Sequence, residues 1–399
     1  MTSGKNKLIA LFAVAIVVIA GVVIFTADNS KDDGDFTVTD MRGRTVSIPS
    51  NVDKIVCLSA GSLRLVEYLG AADMVVGIDK EDSNVSKPTY YKGTYHIAFD
   101  VKDIANVGNE ENFKAIKDTG AQVIISSATE ASKLDDLQDK TGIPVVGIDA
   151  GGNRGVASDE LSKNLKLLGK VLDKSDRADQ LTNYIKDTIK TMEDLSKKST
   201  VIKDAKCYLG GMFFYMKGGL YKTTGNLDPF SILGANNVMP FKEGNPYDTK
   251  VQEVVIANPN YMFIDSITID ATKKQFDDDK ELLKNVDAVK EGKIYSLFVD
   301  RFYGINWESE LMNLYYIGSV LDPRVFDYNV DEKMQSVLDM FYPGIGLKLS
   351  DIKDKQGPGV GVLDWCCRWI TGSMMSRMKL QIPKNHIRRT IKESKDGCS

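Results

Sequence analysis

The side chains best suited to hold a ligand are concentrated in loops that follow predicted strands. One such loop, "GGMFFYMKGGLY", begins where a predicted strand over residues 206–210 ends, and it places aromatic and thioether side chains between two glycine pairs. This composition suits the apolar wall of a pocket whose shape can adjust. A lid or a second small core is the alternative interpretation. The candidate ligand contacts in this loop are Met212, Phe213, Phe214, Tyr215 and Tyr221.

A second candidate contact is the small-residue turn in "NVDKIVCLSAGSLRLVEYLGAADMVVGID". The turn follows an apolar strand, as in a nucleotide-binding unit, yet it lacks the pattern G-x-G-x-x-G and no P-loop lysine follows. Backbone N–H groups at a helix start favour a polar or anionic ligand, and small side chains let a bulky ligand approach the backbone. We therefore predict that Ser59, Gly61 and Ser62 line a ligand cleft, with a tight turn that binds nothing as the alternative.

Two adjacent tyrosines follow the second predicted strand. Tyr90 and Tyr91 in "KPTYYKG" could stack on a planar ligand or contact a ferric centre. As loop tyrosines they could equally cap the edge of a sheet.

The segment "FVDRFYGINWESEL" follows another predicted strand and precedes a helix. Arg301 could pair with an anionic group of a ligand through its forked donors, or form a salt bridge with Asp300 or Glu308. Tyr303 and Trp307 supply flat faces for a ligand in the same loop.

Catalytic and metal-binding patterns are scarce in the sequence. The chain has two histidines, His96 and His386, so a Ser/His/Asp set would depend on one of them, and a multi-histidine zinc or manganese site cannot be built from His96 alone. No G-x-S-x-G elbow and no C-x-x-C spacing occurs. We predict a binding protein without catalytic residues, resident cofactor or metal site. A receptor for a free divalent metal is the alternative, and a membrane-anchored enzyme has less support.

Length and composition are typical of a globular protein with two domains. The 399 residues are 43% apolar and 27% charged, and the net charge is −4. An acidic chain argues against a nucleic-acid partner, which usually requires a basic face.

Apolar strand patterns alternate with amphipathic helical patterns in both halves of the chain. The predicted strands are residues 54–58, 74–78, 122–126 and 145–148, then 206–210, 261–265 and 293–298. This alternation predicts mostly parallel sheets covered by helices. Residues 158–199 lack proline and carry an apolar stripe at helical spacing, which predicts a helical connection with one long helix. We therefore predict an α/β protein with two Rossmann-like lobes, residues 36–157 and 200–345, joined by this helix and separated by a ligand cleft.

The first 27 residues predict a membrane-targeting segment. Lys5 and Lys7 precede an uncharged apolar run over residues 8–25, and acidic residues follow. Such a run would rise about 27 Å as a helix, close to the hydrocarbon thickness of a bilayer, and its flanking charges place the rest of the chain outside. A signal anchor is the preferred interpretation and a cleaved signal peptide the alternative. Residues 28–35 then form a tether, and the protein is extracytoplasmic, either anchored to the outer face of the cell membrane or secreted.

The composition changes near the end of the chain, within residues 346–399. From Gly357 onward the sequence is basic and carries three of the five cysteines and two of the three tryptophans. A late change of reading frame is the preferred interpretation, and a native membrane-surface or partner-binding extension is the alternative.

Cys57 and Cys207 lie in apolar strand patterns and are predicted to be buried.

The order of several segments resembles the iron-complex and cobalamin substrate-binding proteins of ABC importers. The resemblance covers about residues 36–345 and is carried by "VTDMRGRTVSIP", "ENFKAIKDTGAQVII", "GIPVVGID", "GGLYKTTGNLDPFSILGANNVM", "VQEVVIANPNYMFID" and "AVKEGKIYSL". It implies a lobe–helix–lobe fold whose cleft captures a ferric siderophore-type complex, haem or a corrinoid. It also implies delivery of this metal chelate to an ABC permease and ATPase complex by a monomer. Tyr247 matches a position that is often aromatic in the family and joins the candidate ligand contacts.

The same resemblance implies that one glutamate on each lobe docks onto arginines of the permease. Lys114 and Gln252 occupy the matching positions here. The neighbouring acids that could take this role are Glu110, Glu111 and Glu253.

Overall fold

The protein has an α/β architecture built on two five-stranded sheets. The computed structural model describes residues 34–85, 98, 101–150, 155–214, 217–242, 246–353 and 360–365. Within these residues no helix combines the length and the apolarity needed to cross a membrane. The predicted signal anchor and the last residues of the tail lie outside this range.

A short antiparallel hairpin precedes the first sheet, as the sequence predicts. Its strands are β1 (Phe36–Thr39) and β2 (Thr45–Ile48). Arg44 fixes the hairpin to the sheet edge, because its guanidinium donates to Asp40 Oδ2 and to the carbonyl oxygen of Val145, each over 2.9 Å. Asp40 Oδ2 also accepts a hydrogen bond from the backbone N–H of Gly147.

The first sheet is entirely parallel and has the order β5-β4-β3-β6-β7. Its strands are β3 (Ile55–Leu58), β4 (Val75–Asp79), β5 (Ala105–Gly108), β6 (Val123–Ser126) and β7 (Val145–Gly147). Every residue of β3 and β6 is buried, because helices cover both faces. These helices are α1 (Ser62–Tyr68), α2 (Lys80–Val85), α3 (Phe113–Asp118), α4 (Ala131–Thr141) and α5 (Asp159–Val171). We call β1 to α5 the first lobe.

A 22-residue helix, α6 (Ser175–Ser196), follows the first lobe in the chain. Its buried stripe includes Leu181, Ile185 and Met192, which recur at helical spacing as the sequence predicts. The helix packs against α5 and against helices of the second half.

The second sheet has the order β12-β8-β14-β15-β16. The strands of the second half are β8 (Lys206–Gly210), β9 (Phe213–Phe214), β10 (Lys217–Gly218), β11 (Lys222–Thr223), β12 (Asn236–Asn237), β13 (Tyr247–Asp248), β14 (Tyr261–Asp265), β15 (Ile294–Leu297) and β16 (Gly361–Val362). Strands β12, β8, β14 and β15 are parallel, whereas β16 is antiparallel at the edge. Cys57 in β3 and Cys207 in β8 are free and buried, as predicted.

Helices cover the second sheet and connect its strands. They are α7 (Asp228–Leu233), α8 (Val251–Ala257), α9 (Ile269–Asp278), α10 (Lys280–Leu283), α11 (Asp287–Lys290), α12 (Trp307–Leu321), α13 (Val330–Phe341) and α14 (Leu349–Lys353). The helices α7 and α12 both pack against α6. We call β8 to β16 the second lobe.

The second lobe continues past residue 345, where the sequence analysis ended it. Helix α14 packs on α13, and β16 pairs with β15. Leu363 is buried, and the Trp365 ring lies 5.3 Å from the Phe276 ring. The start of the predicted tail therefore belongs to the sheet, because its apolar residues complete the edge of the core.

The two lobes share one hydrophobic core on the side where α1 meets α12. Tyr68 of α1 lies against Trp307 of α12 and Phe341 of α13, with ring centroids 6.3 and 4.8 Å apart. Both tyrosine and tryptophan are fully buried there. The lobes are therefore fused along an apolar seam as well as through the chain connection.

Candidate functional site

A cavity of about 220 Å³ lies between the lobes at the carboxyl ends of the first-sheet strands. In α/β sheets this edge is the usual place for a ligand. The cavity is lined by Ser59, Asp79, Lys80, Glu81, Gly108, Asn109, Glu110, Glu111 and Tyr303. Tyr303 comes from the second lobe, in the loop between β15 and α12, and the others come from the first.

Asp79 at the end of β4 joins the two lobes. Its Oδ2 accepts a hydrogen bond from the Tyr303 hydroxyl over 2.7 Å and another from the backbone N–H of Ser59 over 2.8 Å. Its Oδ1 accepts from the backbone N–H of Asp82. Burial and the neighbouring Asp79 carboxylate raise the pKa of Tyr303, so the hydroxyl keeps its proton and remains the donor.

Two residues with left-handed backbone conformations meet at this carboxylate. Ser59 has φ 68° and Tyr303 has φ 50°. A non-glycine residue in this region costs about 1–3 kcal/mol, and such strain is typical of ligand clamps and switch regions. Both residues approach the same oxygen of Asp79, which links the strain directly to the cavity.

Glu110 is oriented by the ends of two strands. Its Oε1 accepts hydrogen bonds from Ser59 Oγ over 2.6 Å and from Ser126 Oγ over 2.5 Å. Charged hydrogen bonds of this kind fix a side chain firmly. Glu111, the next residue, is exposed at the rim.

The cavity lining is strongly acidic. It contains four carboxylates and one ammonium group, that of Lys80, which gives a formal net charge of −3 (−4 + 1). Lys80 Nζ lies 3.6 Å from a Glu81 carboxylate oxygen, and both side chains are more than half exposed. Such an exposed ion pair neutralises little of the electrostatic field of the four carboxylates. The cavity therefore favours a ligand group with positive charge.

The loop that carries Tyr303 is held rigidly against the first lobe. Arg64 of α1 is fully buried, and its guanidinium donates to the carbonyl oxygens of Ile305 and Phe302 over 2.6 and 3.0 Å. A Cβ on Gly304 would lie only 3.2 Å from the Cα of Gly61, so the two backbones require glycine at their contact.

Arg301 does not face the cavity. Its Nε donates to Asp300 Oδ2 over 2.8 Å, which is the salt bridge that the sequence analysis gave as the alternative to ligand binding. It belongs to a buried acidic cluster at the ends of β14 and β15. The cluster's carboxylates are those of Asp228, Asp265, Asp300 and Glu310.

Two predicted contacts are enclosed in the core and unavailable to a ligand. Trp307 is fully buried against Tyr68, because α12 crosses the centre of the molecule. Ser62 is also fully buried, and its Oγ donates to the carbonyl oxygen of Leu58 at the end of β3. Gly61 forms the backbone contact with Gly304 and does not line the cavity.

The Met/Phe loop lies elsewhere on the second lobe. Met212 is buried, whereas Phe213 and Phe214 are half-buried in the β9–β10 hairpin. The Tyr221 hydroxyl donates to Asp279 Oδ2, and the Tyr247 hydroxyl donates to the carbonyl oxygen of Pro240. None of these side chains lines the cavity. Tyr90, Tyr91 and Tyr215 lie outside the described residues.

The three candidate docking acids occupy different environments. Glu253 is exposed in the first turn of α8, where it accepts hydrogen bonds from the Thr249 hydroxyl and the Lys250 backbone N–H. Glu110 is held inside the cavity and Glu111 lies at its rim. Glu111 and Glu253 are thus exposed, whereas Glu110 is half-buried.

The sequence did not predict Asp79, Lys80, Glu81, Gly108 and Asn109 as cavity residues. The available signal was position: Asp79 is the last residue of β4, directly before a helix. Among the described residues, no group of three or more His, Cys, Asp or Glu is arranged to hold a metal ion.

The fold and the cavity define a two-lobed α/β binding protein. Similar folds occur in a periplasmic solute binding protein from Veillonella parvula (TM-score 0.60, 20% identity, 80% of this chain and 96% of that one). They also occur in the molybdate periplasmic binding protein MolA from Haemophilus influenzae (TM-score 0.61, 18% identity, 77% and 98%). At these identities the likeness extends to the fold alone.

The family assignment follows from the sequence itself. The profile of the family described as periplasmic binding protein matches residues 55–298, which is more than half of the chain. This chain therefore belongs to the periplasmic binding protein family, as its resemblance predicted, and it is a transport-type binding protein rather than an enzyme. It is similar to the petrobactin-binding protein YclQ of Bacillus subtilis, with 26% identity over 73% of this chain and 91% of that protein.

Proposed function

We propose that this protein is the extracytoplasmic receptor of an ABC importer and captures a ferric chelate between its lobes. The observation that carries the proposal is the cavity at the carboxyl ends of the first-sheet strands, which Tyr303 and Asp79 bridge from opposite lobes. A binding site shared by two lobes lets capture and release follow from small changes in their separation. The similarity to a petrobactin-binding protein supports an iron chelate as the cargo.

The size of the cavity bears on the choice among ferric siderophore, haem and corrinoid. Ligand pockets usually enclose about 300–1,000 Å³, so the present 220 Å³ favours a compact chelate over a macrocycle.

Location and delivery complete the proposal. Residues 8–25 would anchor the protein to the outer face of the membrane, or direct its secretion if they are cleaved. Glu253 would contribute one of the contacts to the permease and ATPase complex, because it is charged and exposed at the start of a helix.

The test is a ligand titration of the full chain in detergent. Tyrosine and tryptophan fluorescence would be followed while ferric trihydroxamate, ferric catecholate, haem, cobalamin, Zn²⁺ and Mn²⁺ are added in parallel. We expect saturable quenching by at least one ferric chelate and none by the bare divalent ions. Saturation by a bare divalent ion alone would support the free-metal receptor instead.

A further inference from the structure

We propose that the cargo presents a positive charge, such as a protonated amine beside its metal-binding groups, to the cavity between the lobes. This inference rests on the proposed function and assigns the substrate class of the same site. The residues that would recognise the cation are Asp79, Glu81, Glu110 and Glu111, which come from the ends of two adjacent strands, β4 and β5.

The inner carboxylates are positioned before a ligand arrives. Asp79 accepts three hydrogen bonds, from Ser59, Asp82 and Tyr303. Glu110 receives two hydroxyl hydrogen bonds at Oε1, and among the described residues none of its hydrogen bonds uses Oε2. A carboxylate that is fixed through one oxygen and open at the other is preorganised to accept an N–H donor from a ligand.

The outer carboxylates are not committed to the fold. Glu111 forms no ion pair with any described residue, and Glu81 has only the long, exposed contact with Lys80. A bound cation can therefore contact these two carboxylates without breaking an ion pair that stabilises the fold. Their negative charge then attracts the ligand.

At this cavity an anionic chelate meets one ammonium group, that of Lys80, against four carboxylates. Arg301, the residue best suited to bind a carboxylate or phosphate, is turned away and paired with Asp300. Asp265 and Asp300 at the ends of β14 and β15 are buried and do not line the cavity. The residues that line the cavity therefore oppose negative charge.

The test uses three ferric complexes with one iron core. A linear trihydroxamate chelator with a terminal amine would be compared as the free ammonium, the N-acetyl and the N-succinyl derivative, which carry +1, 0 and −1 at that end. Their Kd values would be measured with the full chain by fluorescence quenching. We expect the cationic complex to bind at least tenfold more tightly than the anionic one, and this ratio to fall as salt is raised.

Variants of Glu81 and Glu111 test whether these carboxylates cause the preference for the cationic complex. Glu81→Gln and Glu111→Gln should each lower the ratio of the two Kd values by threefold or more. Glu193→Gln removes the same charge from the exposed face of α6 and is the matched control, which should keep the wild-type ratio.

The two proposals fail in different ways. Binding of the anionic complex as tightly as the cationic one would contradict the substrate class and leave the proposed function intact. A cationic preference that persists in both variants would also contradict it. Failure of these three complexes to bind, together with failure of every ferric chelate in the parallel titration above, would contradict the proposed function itself.

Discussion

At the residue scale, the site depends on Asp79, a carboxylate that accepts hydrogen bonds from both lobes. Ser59 and Tyr303 adopt left-handed conformations to reach it. Neighbouring structure sustains this strain, since Arg64 holds the carbonyl groups on either side of Tyr303. The hydrogen bond from Tyr303 is therefore a small, defined contribution to lobe closure.

Removal of this hydroxyl tests its contribution. We predict that Tyr303→Phe weakens ferric chelate binding by about threefold to tenfold, because it deletes one hydrogen bond to a charged group and keeps the ring. Fluorescence titration of the variant and the wild type measures the change. Tyr184→Phe is the control, since its hydroxyl lies 3.3 Å from Ser336 Oγ on the surface of α6. Equal affinities of Tyr303→Phe and wild type would contradict the prediction.

The sequence predicted the loops that line the cavity better than it predicted the individual side chains that line it. Ser59 and Tyr303 were chosen from loop composition and line the cavity, whereas Trp307 was chosen in the same way and is buried. Asp79 and Glu110 were not assigned to the cavity. Their roles come from hydrogen bonds to residues 16 to 224 positions away, which spacing along the chain cannot display.

At the element scale, buried parallel strands were the easiest to predict. The predicted strands 206–210 and 261–265 coincide with β8 and β14, because both are continuous apolar runs. Strand β5 was missed, since it lies at the sheet edge and only Val107 is buried. Without β5, the acids that follow it were assigned to the permease contact rather than to the cavity.

Helix α12 shows why the burial of Trp307 could not be predicted from the sequence. The first nine residues of this helix are all buried, so no polar face marks its orientation in the sequence. A helix that is buried all round gives no periodic signal for which side faces a ligand. The packing of α12 against α6, α7 and α13 decides this instead.

The acidic cluster at the ends of β14, β15 and the starts of α7 and α12 predicts a pH effect. Burial, then Asp300 and Asp228, raises the pKa of Glu310, and burial followed by Asp300 raises the pKa of Asp265 to about 7. Folding therefore favours the protonated acids, and Arg301 offsets only part of the repulsion. Stability should be highest below the unfolded pKa and be lost as pH rises through the folded value.

We predict that the free energy of unfolding falls by about 1–3 kcal/mol between about pH 5 and about pH 8. Glu310→Gln should reduce this fall, because the amide cannot ionise and its oxygen can still accept the hydrogen bond from the Val156 backbone N–H. Urea unfolding at several pH values measures how the free energy of unfolding changes with pH, in the wild type and in the variant. Identical slopes for the variant and the wild type would show that the cluster does not control the pH dependence.

At the scale of the whole molecule, several contacts connect the lobes in addition to those of the Tyr303 loop. Helix α6 packs against both lobes, the Tyr68–Trp307–Phe341 seam belongs to both, and Glu308 of α12 accepts hydrogen bonds from the hydroxyls of Tyr68 and Tyr342. The sequence predicted the long helix from its apolar stripe. It could not predict the seam, because contacts between residues more than 200 positions apart leave no local pattern.

These connections restrict the motion that ligand binding can produce. A wide hinge movement would break the seam and expose buried aromatic rings and the Glu308 carboxylate, each at a cost of several kcal/mol. We therefore predict that the radius of gyration changes by less than about 1 Å on ligand binding. Small-angle scattering of the full chain, with and without a saturating ferric chelate, measures this change. A larger compaction would mean that the seam opens in the free protein, and that the rigid connection between the lobes does not hold in solution.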